Sequence, residues 1–460
     1  MMTTTKDKGP LLFYGAYLGA LLPFLIFLSG VIWIALSGAP DERGFWPVIL
    51  LALSVGLFLA KDRKRFSAVV LEGMSQPIVM VMITAWILAS CIGVLMTETG
   101  FVEALTWLAD QLQLKGAGFV VAAFLICVVV SLSTGSSFAT ILICGPILYP
   151  AGGLLGAPLS VLAGAIIGGA TFGDFFAPIS DTTIASALSQ KAEIGPTVRS
   201  RLRYVLPAAV LALIAYFLMA WFASGTTEQA TSTLEGSSRG LPMLLVPALI
   251  IYLFLKGSHL MQGLLTGLVF GIVLSLALGL LSPEQLLSID PDNFTARSFI
   301  IDGINRAVGI SFFTILLMGM VETVKRSGIM DSLVEKAAQN SQTAARTEAW
   351  IAGSTTLSVL LTTHSIVAIL TVAEFAEKTG EKMGIGSIRR SNIMSLVVCV
   401  FPFTLPYMIP VILMANTTSS GESYGIPPVS PLDTGLYNFM AWGLMLMLVL
   451  LLFGYGRKNQ

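Results

Sequence analysis

The sequence predicts an all-α polytopic membrane protein: two inverted repeats with about ten transmembrane helices, two re-entrant hairpins and two broken helices. Three observations lead there. Of the 460 residues, 55% are hydrophobic and 11% charged, whereas ordinary soluble domains carry about 25% charged residues. Apolar runs long enough to cross a bilayer, roughly 20 residues each, recur from end to end. An offset of 327 − 99 = 228 residues superimposes the second half of the chain on the first.

Composition narrows the function classes. The 44 glycines and 21 prolines are spread through apolar runs, as expected where membrane helices pack closely or are interrupted. The formal net charge is zero, so charge points to no nucleic-acid and no membrane-surface role; the partner expected for the apolar spans is membrane lipid. Cys91, Cys127, Cys144 and Cys399 all lie in apolar segments and read as packing residues. The first apolar run has no small-residue cleavage site after it and is expected to be retained as a span. Neither a nucleotide-binding glycine loop with lysine nor a metal-ligand spacing of His and Cys is present, so no enzyme and no cofactor are expected.

The first spans fall at residues 11–36, 46–60 and 77–96. Lys6 and Lys8 before them and the basic run 61–65 place the N-terminus on the cytoplasmic side by the positive-inside rule. Residues 99–116 carry Phe101, Leu105, Leu108 and Leu112 at helical spacing beside Glu103 and Asp110, an amphipathic interfacial helix. Residues 118–150 are apolar but interrupted by Ser131, by Ser133-Thr134-Gly135-Ser136-Ser137 and by Thr140. About 15 residues on either side look too short to cross. Because the basic segment 191–204 should be cytoplasmic, residues 118–150 are expected to turn back as a re-entrant hairpin.

Further spans are expected at 204–223, 242–255, 260–281, 307–322, 393–414 and 436–453, with an acidic loop at 283–294 and cytoplasmic Arg457 and Lys458 at the end. The offset maps Thr134 onto Thr362, Ser137 onto Ser365 and Pro178 onto Pro406. Five crossings separate the copies, an odd number, so the second copy is inverted. The repeats are residues 1–224 (hairpin 118–150, broken helix 157–190) and 241–460 (hairpin 346–378, broken helix 392–418), joined by a linker at 225–240. Inverted repeats with paired broken helices are the organisation of secondary transporters, which bind substrate and coupling ions at the midplane. Glu98, Glu322 and Glu374 near span ends are expected to be solvated at the interface.

The most informative stretch is 163–186, where Asp174 and Asp181 flank Pro178 inside an apolar segment. A carboxylate near the bilayer centre costs roughly 2.5–3.5 kcal/mol and tends to mark an ion or proton pathway. Proline breaks the helix between them. Gly173-Asp174-Phe175-Phe176-Ala177-Pro178-Ile179-Ser180-Asp181-Thr182-Thr183 resembles the NhaC-type sodium/proton antiporter family of the wider ion-transporter superfamily, whose pattern is Gly-Asp, three variable residues, Pro, an apolar residue and Ser-Asp-Thr-Thr. Phe175 and Phe176 depart from it, since the family often carries a basic or polar residue followed by Met or Leu there. The resemblance implies sodium/proton exchange, or transport of a small organic acid or amino acid coupled to sodium or protons. It further implies elevator-like movement, a homodimer, a prokaryotic plasma membrane and cytoplasmic termini.

Within this frame Asp181 either caps the second half-helix or holds sodium with Ser180, Thr182, Thr183 and unwound carbonyls, since hard cations favour such oxygens. Asp174 closes the first half-helix, where dipole and desolvation both act against an anion, so it is the expected proton carrier. The two could also share a proton as a coupled pair. Ser133, Thr134, Ser136 and Ser137 at the first tip, and Thr362, Thr363, His364 and Ser365 at the second, either bond their own helices or contact substrate; His364 is a candidate proton or substrate contact. The second broken helix offers Thr404 and Tyr407 but no acid.

Overall fold

A backbone removed from water must satisfy its own N–H and C=O groups, so each apolar run becomes a helix. The computed structural model describes residues 9–37, 42–223, 237–290 and 295–456. Lys6, Lys8, Arg457, Lys458, most of the linker and part of the acidic loop lie outside the described residues. The first half contains α1 (Ala16–Leu36), α2 (Phe45–Leu59), α3 (Arg63–Met74), α4 (Pro77–Glu98), α5 (Phe101–Gln111), α6 (Ala117–Thr134), α7 (Ser137–Leu154), α8 (Leu159–Phe176), α9 (Asp181–Leu188) and α10 (Ile194–Ala223). The second contains α11 (Leu245–Leu255), α12 (Leu260–Ala277), α13 (Pro283–Leu286), α14 (Phe299–Lys325), α15 (Ile329–Asn340), α16 (Ala344–Thr362), α17 (Ser365–Lys382), α18 (Ser387–Val400), α19 (Ile409–Thr417), α20 (Pro431–Leu436) and α21 (Phe439–Leu452). Strands β1 (Ser288–Asp290) and β2 (Thr295–Arg297) pair antiparallel, β1 within the segment expected to be an acidic loop and β2 directly after it. Eight segments among the described residues are long and apolar enough to cross a membrane, and α2 and α21 are shorter apolar helices. The protein is an all-α polytopic membrane protein.

Adding 228 to the bounds of α6 to α9 gives 345–362, 365–382, 387–404 and 409–416. The corresponding helices run 344–362, 365–382, 387–400 (continued by a 3₁₀ turn at 401–403) and 409–417. Both hairpin turns use a left-handed residue, Gly135 at φ 65° and Thr363 at φ 53°. Threonine in that conformation carries a steric cost of roughly 1–2 kcal/mol.

Helices α8 and α18 form the centre: every residue from Val161 to Phe175 and from Arg389 to Val400 is buried. Small residues let the neighbours approach. A Cβ at position 169 would stand 2.4 Å from that of Cys127 on α6, and one at position 164 would stand 2.2 Å from the Tyr437 carbonyl oxygen. Helix α10 turns Leu206, Val210, Ile214, Phe217 and Trp221 outward, an exposed apolar face suited to lipid.

Several expectations are corrected. The arms of the first hairpin are not about 15 residues but 18 each, about 27 Å at 1.5 Å per residue, close to the hydrocarbon thickness of about 30 Å. Length therefore does not rule out a crossing. The arm is longer because α6 continues through its hydroxyl residues, with the Ser133 hydroxyl donating to the Val129 carbonyl at 2.7 Å. Helix α3 was not expected; it begins within the basic run, at Arg63, because Asp62 caps it, accepting the Arg65 N–H at 2.9 Å. Leu112 lies beyond the end of α5 and is exposed. Glu322 is buried rather than solvated, accepting from Gln76 Nε2 at 2.9 Å and Arg326 Nε at 2.8 Å. Glu98 and Glu374 do lie at the surface.

One ion pair is fully enclosed. Arg389 donates to both Glu348 oxygens, at 2.6 and 3.0 Å, and to the Leu451 carbonyl at 2.6 Å, fastening α18 to α16 and α21. Removing one partner of a buried pair costs about 3–5 kcal/mol. Glu348→Gln should therefore lower the thermal unfolding midpoint in detergent clearly. Glu374→Gln, which breaks an exposed pair with Lys378, should leave the midpoint nearly unchanged, since such pairs contribute about 0–1 kcal/mol.

Candidate functional site

Pro178 has no N–H to give a helix, and the residue before a proline avoids the helical region. Ala177 is accordingly extended, at φ −66° and ψ 130°, and α8 stops at Phe176. The last carbonyls of a helix are left without intrahelical partners, and three successive ones here find different donors. Gly173 O accepts the Ala177 N–H at 2.7 Å. Asp174 O accepts the hydroxyls of Ser180 and Thr182 at 2.9 and 2.8 Å. Phe175 O accepts Arg201 Nη1 at 2.6 Å.

The same two hydroxyls surround the Asp174 carboxyl, which is buried. Ser180 Oγ lies 2.9 Å and Thr182 Oγ1 3.3 Å from Asp174 Oδ1, and 2.9 Å from each other. Ser180 occupies the N-cap position of α9, yet its side chain makes no capping bond. Five oxygen–oxygen approaches within 3.3 Å thus share two hydroxyl hydrogens. A proton on the carboxyl, or a hard cation among the oxygens, relieves that shortage of donors. Ser137 of the first hairpin tip and Cys399 of α18 are also neighbours of the Asp174 carboxyl. A Cβ on Gly135 would lie 2.6 Å from Ile179 Cγ1, so the hairpin tip rests directly on the helix break.

Asp181 starts α9, exposed, with Asp174 among its charged neighbours. Thr183 faces away from Asp174 and accepts Arg201 Nη1 at 2.8 Å. Of the five ion-site candidates, Asp174, Ser180 and Thr182 come together; Asp181 and Thr183 stand outside the cluster.

At the first tip, Thr134 and Ser136 serve the turn: Thr134 Oγ1 accepts the Ser136 N–H and Ser136 Oγ accepts the Ala139 N–H, at 3.3 and 3.2 Å. At the second, Thr362 donates to Ser358 O at 2.7 Å and Thr363 to Thr362 O at 2.8 Å. Ser365 crosses to Val398 O of α18 at 3.2 Å, next to Cys399. His364 Nδ1 is buried without a hydrogen-bond partner among the described residues. Thr404 donates to Val400 O at 3.1 Å, and Tyr407 to Leu360 O at 3.1 Å with its ring against Phe24 and Phe27. Both are held by internal bonds.

Arg201 went unnoticed in the sequence, where it sits in a run expected to be a cytoplasmic loop. It is fully buried and donates to Phe175 O, Thr183 Oγ1, Ser186 Oγ at 2.9 Å and Asn392 Oδ1 at 3.2 Å, with its guanidinium 5.1 Å from the centre of the Phe175 ring. All four bonded acceptors are neutral, and Asp174 supplies the nearby negative charge. A signal for it was present: Thr197, Ser200, Arg201, Tyr204, Val205 and Ala208 form one helical stripe that α10 buries.

Comparison with known proteins is consistent with this geometry. The Malate-2H(+)/Na(+)-lactate antiporter of Bacillus subtilis is 27% identical over 247 residues, 52% of this chain and 50% of that protein. The Na(+)/H(+) antiporter NhaC of Alkalihalophilus pseudofirmus is 29% identical over 234 residues, covering 47% and 50%. NhaC of Bacillus subtilis is 24% identical over 228 residues, covering 45% and 50%. The chain spans about half the length of the curated relatives it matches, and all three are named as antiporters. Residues 16–221, which include the Asp174 cluster and Arg201, match the model of the Na+/H+ antiporter family.

Proposed function

We propose that the chain is a secondary active transporter that exchanges sodium ions for protons by alternating access. The observation that carries this reading is the donor-poor oxygen cluster at Asp174, where a proton and a sodium ion are alternative ways to complete one site. Competition for one carboxyl is itself the coupling: loading either ion expels the other. A proton and a sodium ion carry the same charge, so the proton-loaded and sodium-loaded states carry the same net charge, with Arg201 adding a fixed positive charge near the carboxylate. Exchanging one for the other then moves no net charge against the membrane potential, which otherwise acts with about 2.3 kcal/mol per charge per 100 mV. Asp181, exposed at the start of α9, attracts cations toward the site rather than holding them.

The two broken helices with their hairpins form the moving body, and repeats 1–224 and 241–460 are inverted copies that exchange roles between the inward-open and outward-open states. The 228-residue spacing of their helix bounds supports this. The movement is elevator-like and the working unit a homodimer in a prokaryotic plasma membrane, in keeping with the family resemblance. A second reading, sodium- or proton-coupled transport of a small organic acid or amino acid, is favoured by the relative named for malate and lactate.

Proteoliposomes holding an internal pH dye distinguish the two. A sodium gradient alone should drive proton flux, and Asp174→Asn should abolish it. Ser180→Ala and Thr182→Ala should each raise the sodium concentration for half-maximal flux roughly two- to tenfold, the effect of losing about 0.5–1.5 kcal/mol. Asp181→Asn should preserve most of the maximal flux. Proton flux that appears only when an organic acid or amino acid is supplied would favour the second reading. Arg201→Met, which strips the Phe175 carbonyl of its donor and Asp174 of its compensating charge, should reduce both maximal flux and the unfolding midpoint, with Arg201→Lys recovering part of each.

A further inference from the structure

A second polar site lies where α4 and α14 face α7 and α19. It is a narrow cleft with a cavity volume of ≈ 20 Å³, within ≈ 370 Å³ of free space that includes its open mouth. Arg306, in the first turns of α14, lines it. The side chain is half-buried, and no described residue forms an ion pair or hydrogen bond with its guanidinium, although Asp302 lies one turn earlier on the same helix. Two hydroxyl residues line the cleft with it. Ser420 Oγ, in the 3₁₀ turn Thr418–Tyr424, is buried and has no hydrogen-bond partner among the described residues. Ser90 of α4 is likewise without a bonded partner among the described residues.

Unused donors of this kind call for an acceptor, and a guanidinium in a partly desolvated cleft calls for an anion. A buried hydroxyl without a partner is costly, by about 1–3 kcal/mol. The remaining wall is apolar, with Leu142 and Pro146 from α7 and Leu413 from α19. That wall suits a short carbon chain better than a fully hydrated inorganic anion, and the planar guanidinium matches a carboxylate in two-pronged fashion. We propose that this cleft binds a small organic carboxylate, its carboxyl group on Arg306 with the Ser90 and Ser420 hydroxyls, and its carbon chain against Leu142, Pro146 and Leu413. The site shares no residue with the Asp174 cluster and does not depend on sodium/proton exchange.

The test is a thermal-unfolding titration of the purified full chain in detergent with sodium acetate, sodium succinate, sodium phosphate and sodium chloride, at matched sodium concentration and ionic strength. A ligand that binds only the folded state raises the midpoint saturably. Acetate or succinate should do so, beyond chloride and phosphate. Arg306→Gln should weaken the apparent affinity about tenfold or more, Arg306→Lys less, and Ser420→Ala measurably. Gel filtration checks that each variant is folded; should Arg306→Gln not be, the Lys and Ser420 variants carry the comparison. Coincident carboxylate and chloride curves, an equal rise with phosphate, or a rise unchanged in the folded variants would overturn the proposal. Proton flux driven by sodium alone is read separately, so a negative result here leaves the exchange reading intact.

Discussion

Ending a helix inside an apolar body leaves carbonyls that water cannot reach, and the structure around residue 176 is an answer to that constraint. An unsatisfied polar group in a lipid-like interior costs several kcal/mol. The carbonyls of Gly173, Asp174 and Phe175 take a backbone amide, two hydroxyls and an arginine respectively. Each donor is fixed by its own element: Ser180 and Thr182 by the start of α9, Arg201 by the buried stripe of α10. The groups that satisfy the break are therefore the same groups that surround the Asp174 carboxyl. On the proposed reading, structural necessity and ion chemistry share one set of atoms.

The second break meets the same constraint differently. Helix α18 passes into a 3₁₀ turn at Phe401–Phe403, Thr404 bonds back to Val400, and Asn438 Nδ2 donates to the Phe403 carbonyl at 2.9 Å and to Thr171 Oγ1 of α8 at 3.2 Å. No acid is involved. Two breaks with matching helix bounds thus hold different chemistry, a charged oxygen cluster in one and amide and hydroxyl bonds in the other. Asn392, which accepts from Arg201 and donates to Ser200 at 2.8 Å, joins α18 to α10 beside the first break. The two halves meet through polar bonds near Asp174 as well as through packing.

What was legible in the sequence follows from local rules. Apolar runs, the prolines at 178 and 406, and the glycine and hydroxyl cluster at 133–137 mark helices, breaks and a turn, because each acts on its own backbone. Tertiary partners were harder to read. Arg201 resembled loop charge because its acceptors lie 15 to 191 residues away. Glu322 resembled an interfacial acid because Gln76 is 246 residues distant. Thr182 and Thr183 are adjacent in the motif, yet neighbouring helix positions face about 100° apart, so one turns to Asp174 and the other to Arg201. The motif located the site; helical phase determined which of its members belong to it.

The central claim is that sodium and a proton compete for the Asp174 carboxyl. Adding sodium to the purified protein in weakly buffered detergent solution, and recording the pH, tests it without a membrane or a gradient. Wild-type protein and Asp181→Asn should release protons saturably as sodium binds, and Asp174→Asn should release none. Undiminished proton release from a folded Asp174→Asn variant, or no release from wild-type protein at any pH in the range where it is stable, would contradict the account.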